Sequence, residues 1–249
     1  MARTTFRIWR GDAEGGRFVD YPTEVTEGMV VLDALHKIQA EQAGDLAIRW
    51  NCKAGKCGSC SAEVNGLPKL MCMTRLGELP PGEPVTVEPM KAFPLVKDLV
   101  TDVSWNYEVK KGIRPFSPRS KDAAGGPWIM QEEDITRIQE FRKCIECFLC
   151  QDVCHVLRDH GLHQSFIGPR YFVYAAGVEM HPLDTVERAE DLKDRHGLGL
   201  CNITKCCTNV CPEGITITDN AIIPLKERVT DRFHDPIARL LRIGRKAPR

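Results

Sequence analysis

The stretch CIECFLCQDVC, residues 144–154, holds four cysteines at the spacing C-x2-C-x2-C-x3-C. This spacing is typical of segments that bind 4Fe–4S clusters. It returns in CNITKCCTNVC, residues 201–211, except that Thr204 occupies the second cysteine position. Where two such runs share one domain, the fourth cysteine of each run binds the cluster of the other. The two runs therefore predict a domain folded around two clusters.

Crossing the fourth cysteines gives two ligand sets of different size. One set has four thiolates and predicts a 4Fe–4S cluster: Cys144, Cys147, Cys150 and Cys211. The other has three and predicts a 3Fe–4S cluster, because Thr204 replaces a ligand: Cys154, Cys201 and Cys207. Cys206 stands beside Cys207 and could substitute as a ligand, but the frame is complete without it. We therefore favour a buried or neighbouring thiol for Cys206.

Four further cysteines lie near the N-terminus. Cys52, Cys57, Cys60 and Cys72 follow the spacing C-x4-C-x2-C…C, which is typical of plant-type 2Fe–2S sites. Small residues in the loop (Gly55, Gly58 and Ser59) allow backbone amides to approach the cluster. Lys53 and Lys56 flank the loop and could offset the cluster's negative charge. A zinc site is the alternative, but zinc sites usually pair two short knuckles.

Composition limits the remaining possibilities. The chain has 249 residues with 34 basic and 34 acidic side chains, which argues against a nucleic-acid surface. Twelve cysteines in three groups point to metal binding in a reducing compartment. No apolar run is long enough to span a membrane, and the first residues do not form a signal segment. These features predict a cytosolic chain.

Periodicity predicts an α+β protein with two domains and a linker. Residues 4–9, about 17–25, 61–64, 67–72 and 85–88 have strand patterns, and 28–42 has a helical one. Asn65-Gly66 predicts a hairpin. We predict a 2Fe–2S domain at 1–105, a connector rich in Pro and Gly at 106–131 and a helical domain at 132–249. The helical domain is expected to have a thin apolar core, with Thr218 as the N-cap of its last helix.

Three cluster motifs in this order resemble the iron–sulfur subunits of succinate dehydrogenase and fumarate reductase. The resemblance covers nearly the whole chain and includes NCKAGKCGSC (51–60) with Cys72, CIECFLCQDVC, FIGP (166–169) and CNITKCCTNVCPEGI (201–215). It implies an N-terminal β-grasp, 2Fe–2S ferredoxin-like domain and a C-terminal all-α, helical ferredoxin-like domain. It also implies a flavoprotein partner with covalent FAD and a membrane anchor that handles quinone. The chain would lie peripherally on the cytoplasmic side of the bacterial inner membrane.

Two positions depart from the family pattern. Members usually have Pro after the fourth cysteine of the middle run and Trp soon after, where this chain has His155, Val156, Leu157 and Arg158. Those that reduce ubiquinone tend to have His where this chain has Asn202. We therefore expect menaquinone as acceptor, or another carrier in the anchor. His155 is more readily a solvated or interface residue than a proton relay.

No catalytic residue is expected in the chain, whose function would be electron transfer during succinate oxidation. Fumarate reduction, a role in another flavin dehydrogenase and a zinc-stabilised binding module are the alternatives. The basic tail could face anionic lipid or the anchor, or it could be a solvated helix end. Its residues are Arg239, Arg242, Arg245, Lys246 and Arg249.

Overall fold

The computed structural model describes residues 2–121 and 127–235. Its N-terminal half is built on a five-stranded sheet, and its C-terminal half consists of short helices. The predicted α+β class is thus confirmed. The basic tail at 239–249 lies outside the described residues. Within them, no helix combines the length and the apolar character needed to cross a membrane.

The sheet of the N-terminal half has the order β2-β1-β5-β3-β4. Its strands are β1 (Ala2–Asp12), β2 (Gly15–Val25), β3 (Ser61–Val64), β4 (Leu67–Leu70) and β5 (Val85–Glu88). β1 and β5 are parallel, and the other pairs are antiparallel. A smaller ribbon, which the sequence did not predict, joins β6 (Leu95–Lys97) to β7 (Val100–Thr101).

One helix, α1 (Val31–Glu41), packs on this sheet. Its residues Leu32 and Leu35 recur at helical spacing and are buried together with Phe6 and Ile8 of β1. The alternation of β1 thus directs one face of the strand to the core, as its sequence predicts. Sheet and helix together give the predicted β-grasp arrangement and hold the first cysteine loop between α1 and β3.

Helices make up the rest of the chain. They are α2 (Ser104–Gly112), α3 (Glu132–Gln139), α4 (Leu149–Asp152), α5 (His155–Arg158), α6 (Pro169–Glu179), α7 (Ala189–Asp194), α8 (Cys206–Asn209) and α9 (Ile223–His234). Short 3-10 turns occur at Leu76–Glu78, Glu140–Lys143 and Leu198–Leu200, and a π-helix at Ile217–Ile222. Helix α2 occupies the start of the predicted connector, where the sequence pattern favoured irregular structure.

Two details of the helical half differ from prediction. Its core is continuous rather than thin, and includes the fully buried aromatic residues Phe166, Tyr171 and Phe172. Thr218 is not the N-cap of α9. It lies inside the π-helix, where its hydroxyl accepts a hydrogen bond from Thr208 Oγ1 at 3.2 Å and lies 3.5 Å from Cys207 Sγ. Thr218 therefore contacts Cys207 and does not cap the start of α9.

The two halves meet at a buried acid. Glu63 on β3 is fully buried and pairs with Lys91 Nζ and Arg158 Nη1, each at 2.9 Å. Arg158 lies in α5, shortly after the cysteine run at 144–154, so this ion pair fixes the helical half to the sheet. The segment that replaces the family's Pro and Trp is therefore used for packing: Val156 and Leu157 are buried, and Arg158 binds Glu63.

Candidate iron–sulfur centres

The first cysteine loop is shaped by left-handed backbone at three positions. Lys53, Gly55 and Gly58 have φ of 56°, 66° and 67°. The turns point amides at sulfur: Ala54 N and Lys56 N donate to Cys52 Sγ at 3.4 and 3.3 Å. Such donors stabilise a negatively charged thiolate. Gly55 and Gly58 thus have the conformational role predicted for them, whereas Lys53 adopts this backbone without being a glycine.

The four thiols of this group occupy different environments. Cys52 is exposed and Cys57 partly exposed, whereas Cys60 and Cys72 are buried. Burial opposes ionisation of Cys57, but hydrogen bonds from Ser59 and Cys52 outweigh it and lower its pKa to about 7. Burial, with the nearby Cys72, raises the pKa of Cys60. The group therefore has a solvent side and a protein side.

The two lysines of this loop have different partners. Lys53 Nζ lies 4.5 Å from the centre of the Trp50 ring, and Lys56 Nζ lies 3.3 Å from Glu213 Oε1. Glu213 lies two residues after Cys211, so Lys56 links the N-terminal loop to the helical half.

A cavity in the helical half is lined by four thiols. They come from both cysteine runs: Cys144, Cys147, Cys150 and Cys211. Apolar side chains, among them Phe148, Val173 and Ile217, line the rest of the cavity with Arg170. The structure thus brings together the same four cysteines that the crossing rule groups. Cys211 Sγ also accepts a hydrogen bond from Ile215 N at 3.4 Å.

Burial dominates the chemistry of these thiols. It raises the pKa of Cys147 to about 12 and that of Cys150 well above its usual value. Thiolates in such a place need cationic partners, which iron atoms supply. Residues in the part of the chain that the structure describes do not place three Cys, His, Asp or Glu side chains around a point suited to one metal ion. In a 4Fe–4S cluster each thiolate binds a different iron, so its ligand set is wider. The donor set of the cavity fits a cluster.

The loops before α4 and α8 have the same backbone course. Each contains two non-glycine residues with φ between 55° and 63°, and these occur at matching positions: Glu146 and Phe148, Ile203 and Lys205. Each loop then enters a four-residue helix. Thr204 therefore occupies the place that Cys147 occupies in the first loop. The match depends on backbone geometry and is independent of the cysteine spacing.

The remaining set of predicted ligands, Cys154, Cys201 and Cys207, also combines thiols of both runs. We call it the third group, after the first group (Cys52, Cys57, Cys60 and Cys72) and the second group (Cys144, Cys147, Cys150 and Cys211). Burial raises the pKa of Cys154 to about 12 and that of Cys207 to about 11. Cys207 also interacts electrostatically with Cys201 and Cys206. Thr204 Oγ1 lies 3.3 Å from Cys206 Sγ, within hydrogen-bond distance. Cys154 and Cys207 thus lie in one buried core and Cys201 packs against it, whereas Cys206 is partly exposed and lies within hydrogen-bond distance of the threonine.

Residues that sequence reasoning missed surround the cavity. Arg170, in the first turn of α6, binds Glu146 Oε1 through Nη2 at 2.6 Å, and Lys110 Nζ binds the same oxygen at 2.5 Å. Burial raises the pKa of Glu146, but these two cations outweigh it and leave the pKa below its usual range. Thr218 beside Cys207 was also missed as a site residue. An arginine in a helix first turn, where cations are disfavoured, is the one signal that could have directed attention to Arg170.

The first and second groups touch. A Cβ on Gly58 would lie 2.5 Å from Cys147 Cα, and Ser61 Oγ donates to Cys147 O at 2.8 Å. Phe93 and Phe148 pack edge to face next to this contact, with ring centres 6.2 Å apart. Cys150 of the second group lies in the same buried core as Cys154 and Cys207 of the third. The second group therefore lies between partners from both of the others.

Two family models match the chain. A 2Fe-2S iron-sulfur cluster binding domain matches residues 5–108, and a 4Fe-4S dicluster domain matches residues 140–215. The matches agree with the 2Fe–2S cluster expected in the N-terminal half and with the two clusters expected in the C-terminal half. They also agree with the 2Fe–2S and 4Fe–4S interpretation in preference to zinc.

Similar proteins include both enzymes of one family. The fumarate reductase iron-sulfur subunit of Mycobacterium tuberculosis is 32% identical over 80% of this chain and 80% of its own length. The succinate dehydrogenase iron-sulfur subunit of Paracoccus denitrificans is 30% identical over 92% of this chain and 88% of its own. A chain of the Mycobacterium smegmatis Sdh1 complex in the apo form is 59% identical, with a TM-score of 0.90, and the match covers 94% of this chain and 98% of that one. The chain belongs to the family of iron–sulfur subunits of succinate dehydrogenases and fumarate reductases.

Proposed function

We propose that this chain conducts electrons from the FAD of a flavoprotein subunit to quinone, during succinate oxidation, through three iron–sulfur clusters. The observation that carries the proposal is the cavity lined by Cys144, Cys147, Cys150 and Cys211, which draws one thiol from the distant second run. Such an exchange of cysteines between runs is a property of two-cluster electron carriers.

The ligand sets follow from the grouping of the thiols. Cys52, Cys57, Cys60 and Cys72 bind 2Fe–2S; Cys144, Cys147, Cys150 and Cys211 bind 4Fe–4S; Cys154, Cys201 and Cys207 bind 3Fe–4S. When bound, the clusters supply one-electron carriers whose potentials depend on cluster type, hydrogen bonds to sulfur and exposure. The protein contributes amide donors at Cys52 and Cys211, burial of the middle group, and contact between neighbouring groups.

Substrate chemistry belongs to the flavoprotein. Succinate loses two electrons and two protons to become fumarate, and the electrons cross this chain one at a time. Quinone takes up two electrons and two protons to become quinol. The chain needs no acid or base for this task. Its residues have to hold the carriers close together and keep water from the middle one, which the Gly58–Cys147 contact and the apolar cavity wall do.

The partners and location are part of the proposal. The chain binds the FAD-containing flavoprotein and a membrane anchor, and it lies on the cytoplasmic side of the bacterial plasma membrane. Asn202, and the use of residues 156–158 in packing, support menaquinone as acceptor or a further carrier in the anchor. Similarity to the Sdh1 complex at 59% identity favours succinate oxidation over the reverse reaction.

Electron paramagnetic resonance on the purified complex tests the proposal. The oxidised complex should show a 3Fe–4S signal, and succinate should remove it while a 2Fe–2S signal appears. The C211S variant should lose the 4Fe–4S signal, whereas C206A, the matched control in the same run, should keep all three. Three intact clusters that succinate cannot reduce would refute the substrate, and loss of a cluster in C206A would refute the ligand assignment.

A further inference from the structure

We infer that Arg170 is a tuning residue, whose charge raises the reduction potential of the cluster in the cavity of Cys144, Cys147, Cys150 and Cys211. The inference rests on the proposed function, because it takes these four thiols as the ligands. It adds a determinant of the electron path that lies outside the cysteine motifs.

Arg170 is placed as a partner of the cavity rather than of solvent. The residue is 6% exposed and forms part of the cavity wall. Its Nη2 binds Glu146, but its Nε is buried and has no hydrogen-bond acceptor among the residues that the structure describes. Its guanidinium also lies 5.5 Å from the ring centre of Tyr171. A buried guanidinium N–H without a protein acceptor is costly, and sulfur of the cluster or its ligands would relieve that cost.

Helix stability does not explain this arginine. Arg170 lies in the first turn of α6, where the helix dipole disfavours a cation. Burial of a charge adds a desolvation cost. The compensation comes from Glu146 on the cysteine loop, at 2.6 Å. The local fold therefore accepts an unfavourable charge beside the cavity, which indicates a role for that charge in the site.

The ion cluster around Arg170 has a net positive charge. Glu146 is shared by two cations, Arg170 and the partly exposed Lys110. Glu213, which also lines the cavity, is paired with Lys56 at 3.3 Å. Two cations and one carboxylate leave one positive charge next to the four thiols, and the Glu213–Lys56 pair adds none. In a buried cavity, such a charge is weakly screened.

The sign of the effect follows from charge alone. One electron enters the middle cluster from the first cluster and one leaves it for the third, with no bond made or broken in the protein. The reduced state has one more negative charge than the oxidised state. A nearby positive charge stabilises the reduced state more, so it raises the potential.

The test is a redox titration of the purified complex, monitored by the electron paramagnetic resonance of each cluster. R170M keeps the bulk of the side chain and removes the charge, so reduction of the 4Fe–4S cluster should become about tenfold less favourable, or about 59 mV lower in potential. R170K keeps the charge, so its 4Fe–4S potential should lie closer to that of the unmodified complex than to that of R170M. R195M removes an exposed arginine of the same half, which follows α7, pairs with Asp191 and does not line the cavity, and it should leave all potentials unchanged. The 2Fe–2S and 3Fe–4S potentials act as internal references.

A second pair of variants separates tuning from a structural role. E146Q removes the acid and should shift the potential upward, whereas K110Q should lower it by less than R170M, because Lys110 is partly exposed. A purely structural effect would not reverse sign between acid and base. If R170M does not assemble the cluster, E146Q and K110Q decide. Unchanged potentials in variants that keep the 4Fe–4S signal would overturn the inference alone, whereas absence of that signal in the unmodified complex would refute the proposed ligand set.

Discussion

We expect Thr204 to determine the type of the third cluster. Because the loop before α8 repeats the backbone of the loop before α4, a cysteine at this position would lie where Cys147 lies in its own loop. T204C should therefore complete a four-thiolate set and convert the 3Fe–4S cluster to 4Fe–4S. The oxidised complex would lose its 3Fe–4S signal and gain a second 4Fe–4S signal on reduction. T204S serves as the control and should keep the 3Fe–4S signal. Retention of that signal in T204C would show that the backbone match does not extend to ligation.

At Gly58, the addition of a single carbon atom should disturb the contact between the two halves. An alanine there would adopt left-handed backbone with φ near 67°, and its Cβ would lie 2.5 Å from Cys147 Cα. Gly66 has φ of 75° and open space around it, so G66A isolates the backbone cost. We expect about 1 kcal/mol of destabilisation in G66A and about 1–3 kcal/mol more in G58A, measured by denaturant unfolding.

G58A should also weaken the magnetic interaction between the first two clusters, because the clash pushes the loop away from Cys147. Power saturation of the 2Fe–2S signal measures this coupling, with G66A as reference. Equal stability and equal coupling in the two variants would mean that the interface has room for a methyl group.

At the scale of elements, the contact between β3 and α5 depends on one acid. Glu63 is fully buried, while Arg158 and Lys91 keep part of their surface. Loss of one partner from a fully buried pair costs about 3–5 kcal/mol, and since both cations reach solvent we expect about 2 kcal/mol for E63Q. Glu88 pairs with Lys91 at the edge of the same site, and E88Q should cost less than about 1 kcal/mol. Denaturant unfolding of the two variants checks this order. If E63Q and E88Q lost similar amounts of unfolding free energy, Lys91, which pairs with both acids, would be the main determinant of the contact.

A buried histidine, His196, follows the end of α7 and makes the stability of the fold depend on pH. Burial lowers the pKa of His196 below its ordinary value of 6.5. The unfolded chain then binds a proton more readily than the folded one. The contribution of neutral His196 to the free energy of unfolding is therefore fully present above pH 6.5 and falls as the pH drops below that value. H196Q should have a shallower fall in unfolding midpoint between about pH 7.5 and pH 5. Proton-linked loss of clusters is common to both proteins, so the difference isolates His196. Parallel curves would contradict the assignment.

The elements that sequence could predict are those set by local pattern. The strand periodicity at β1 and β5, the Asn65-Gly66 hairpin and α1 are local features, and each occurs where its residues indicate. Helix α2 was missed because Gly112 and the prolines that follow dominate its pattern. Thr218 was misread as an N-cap because the π-helix before α9 is determined by packing. The grouping of cysteines follows from spacing, since cluster geometry fixes which thiols can meet.

At the scale of the whole molecule, the residues that sequence could not supply are those that join the halves. Glu63 and Arg158, or Gly58 and Cys147, are far apart in the chain and carry no shared motif. Their meeting depends on how the sheet docks on the helices. The same holds for Arg170, whose place in the cavity wall depends on how α6 packs beside the cysteine loops.

From the order of the three groups we expect electrons to pass from the first cluster through the second to the third. The first group contacts the second through Gly58 and Cys147, and Cys150 of the second group shares a buried core with Cys154 and Cys207 of the third. Removal of the middle cluster should therefore interrupt the path while leaving its ends in place. In C144S, succinate should still reduce the 2Fe–2S cluster, but the 3Fe–4S signal should persist. Freeze-quenched samples at increasing times measure both signals.

Two controls give this experiment its meaning. Dithionite, a small reductant that does not need the path, should remove the 3Fe–4S signal in C144S and so prove that the third cluster is present and reducible. C206A, which alters a cysteine outside the proposed ligand sets, should conduct as the unmodified complex does. Reduction of the third cluster by succinate at an unaltered rate in C144S would mean that electrons bypass the middle position. The contact between Gly58 and Cys147 would then serve to pack the two halves together rather than to carry current.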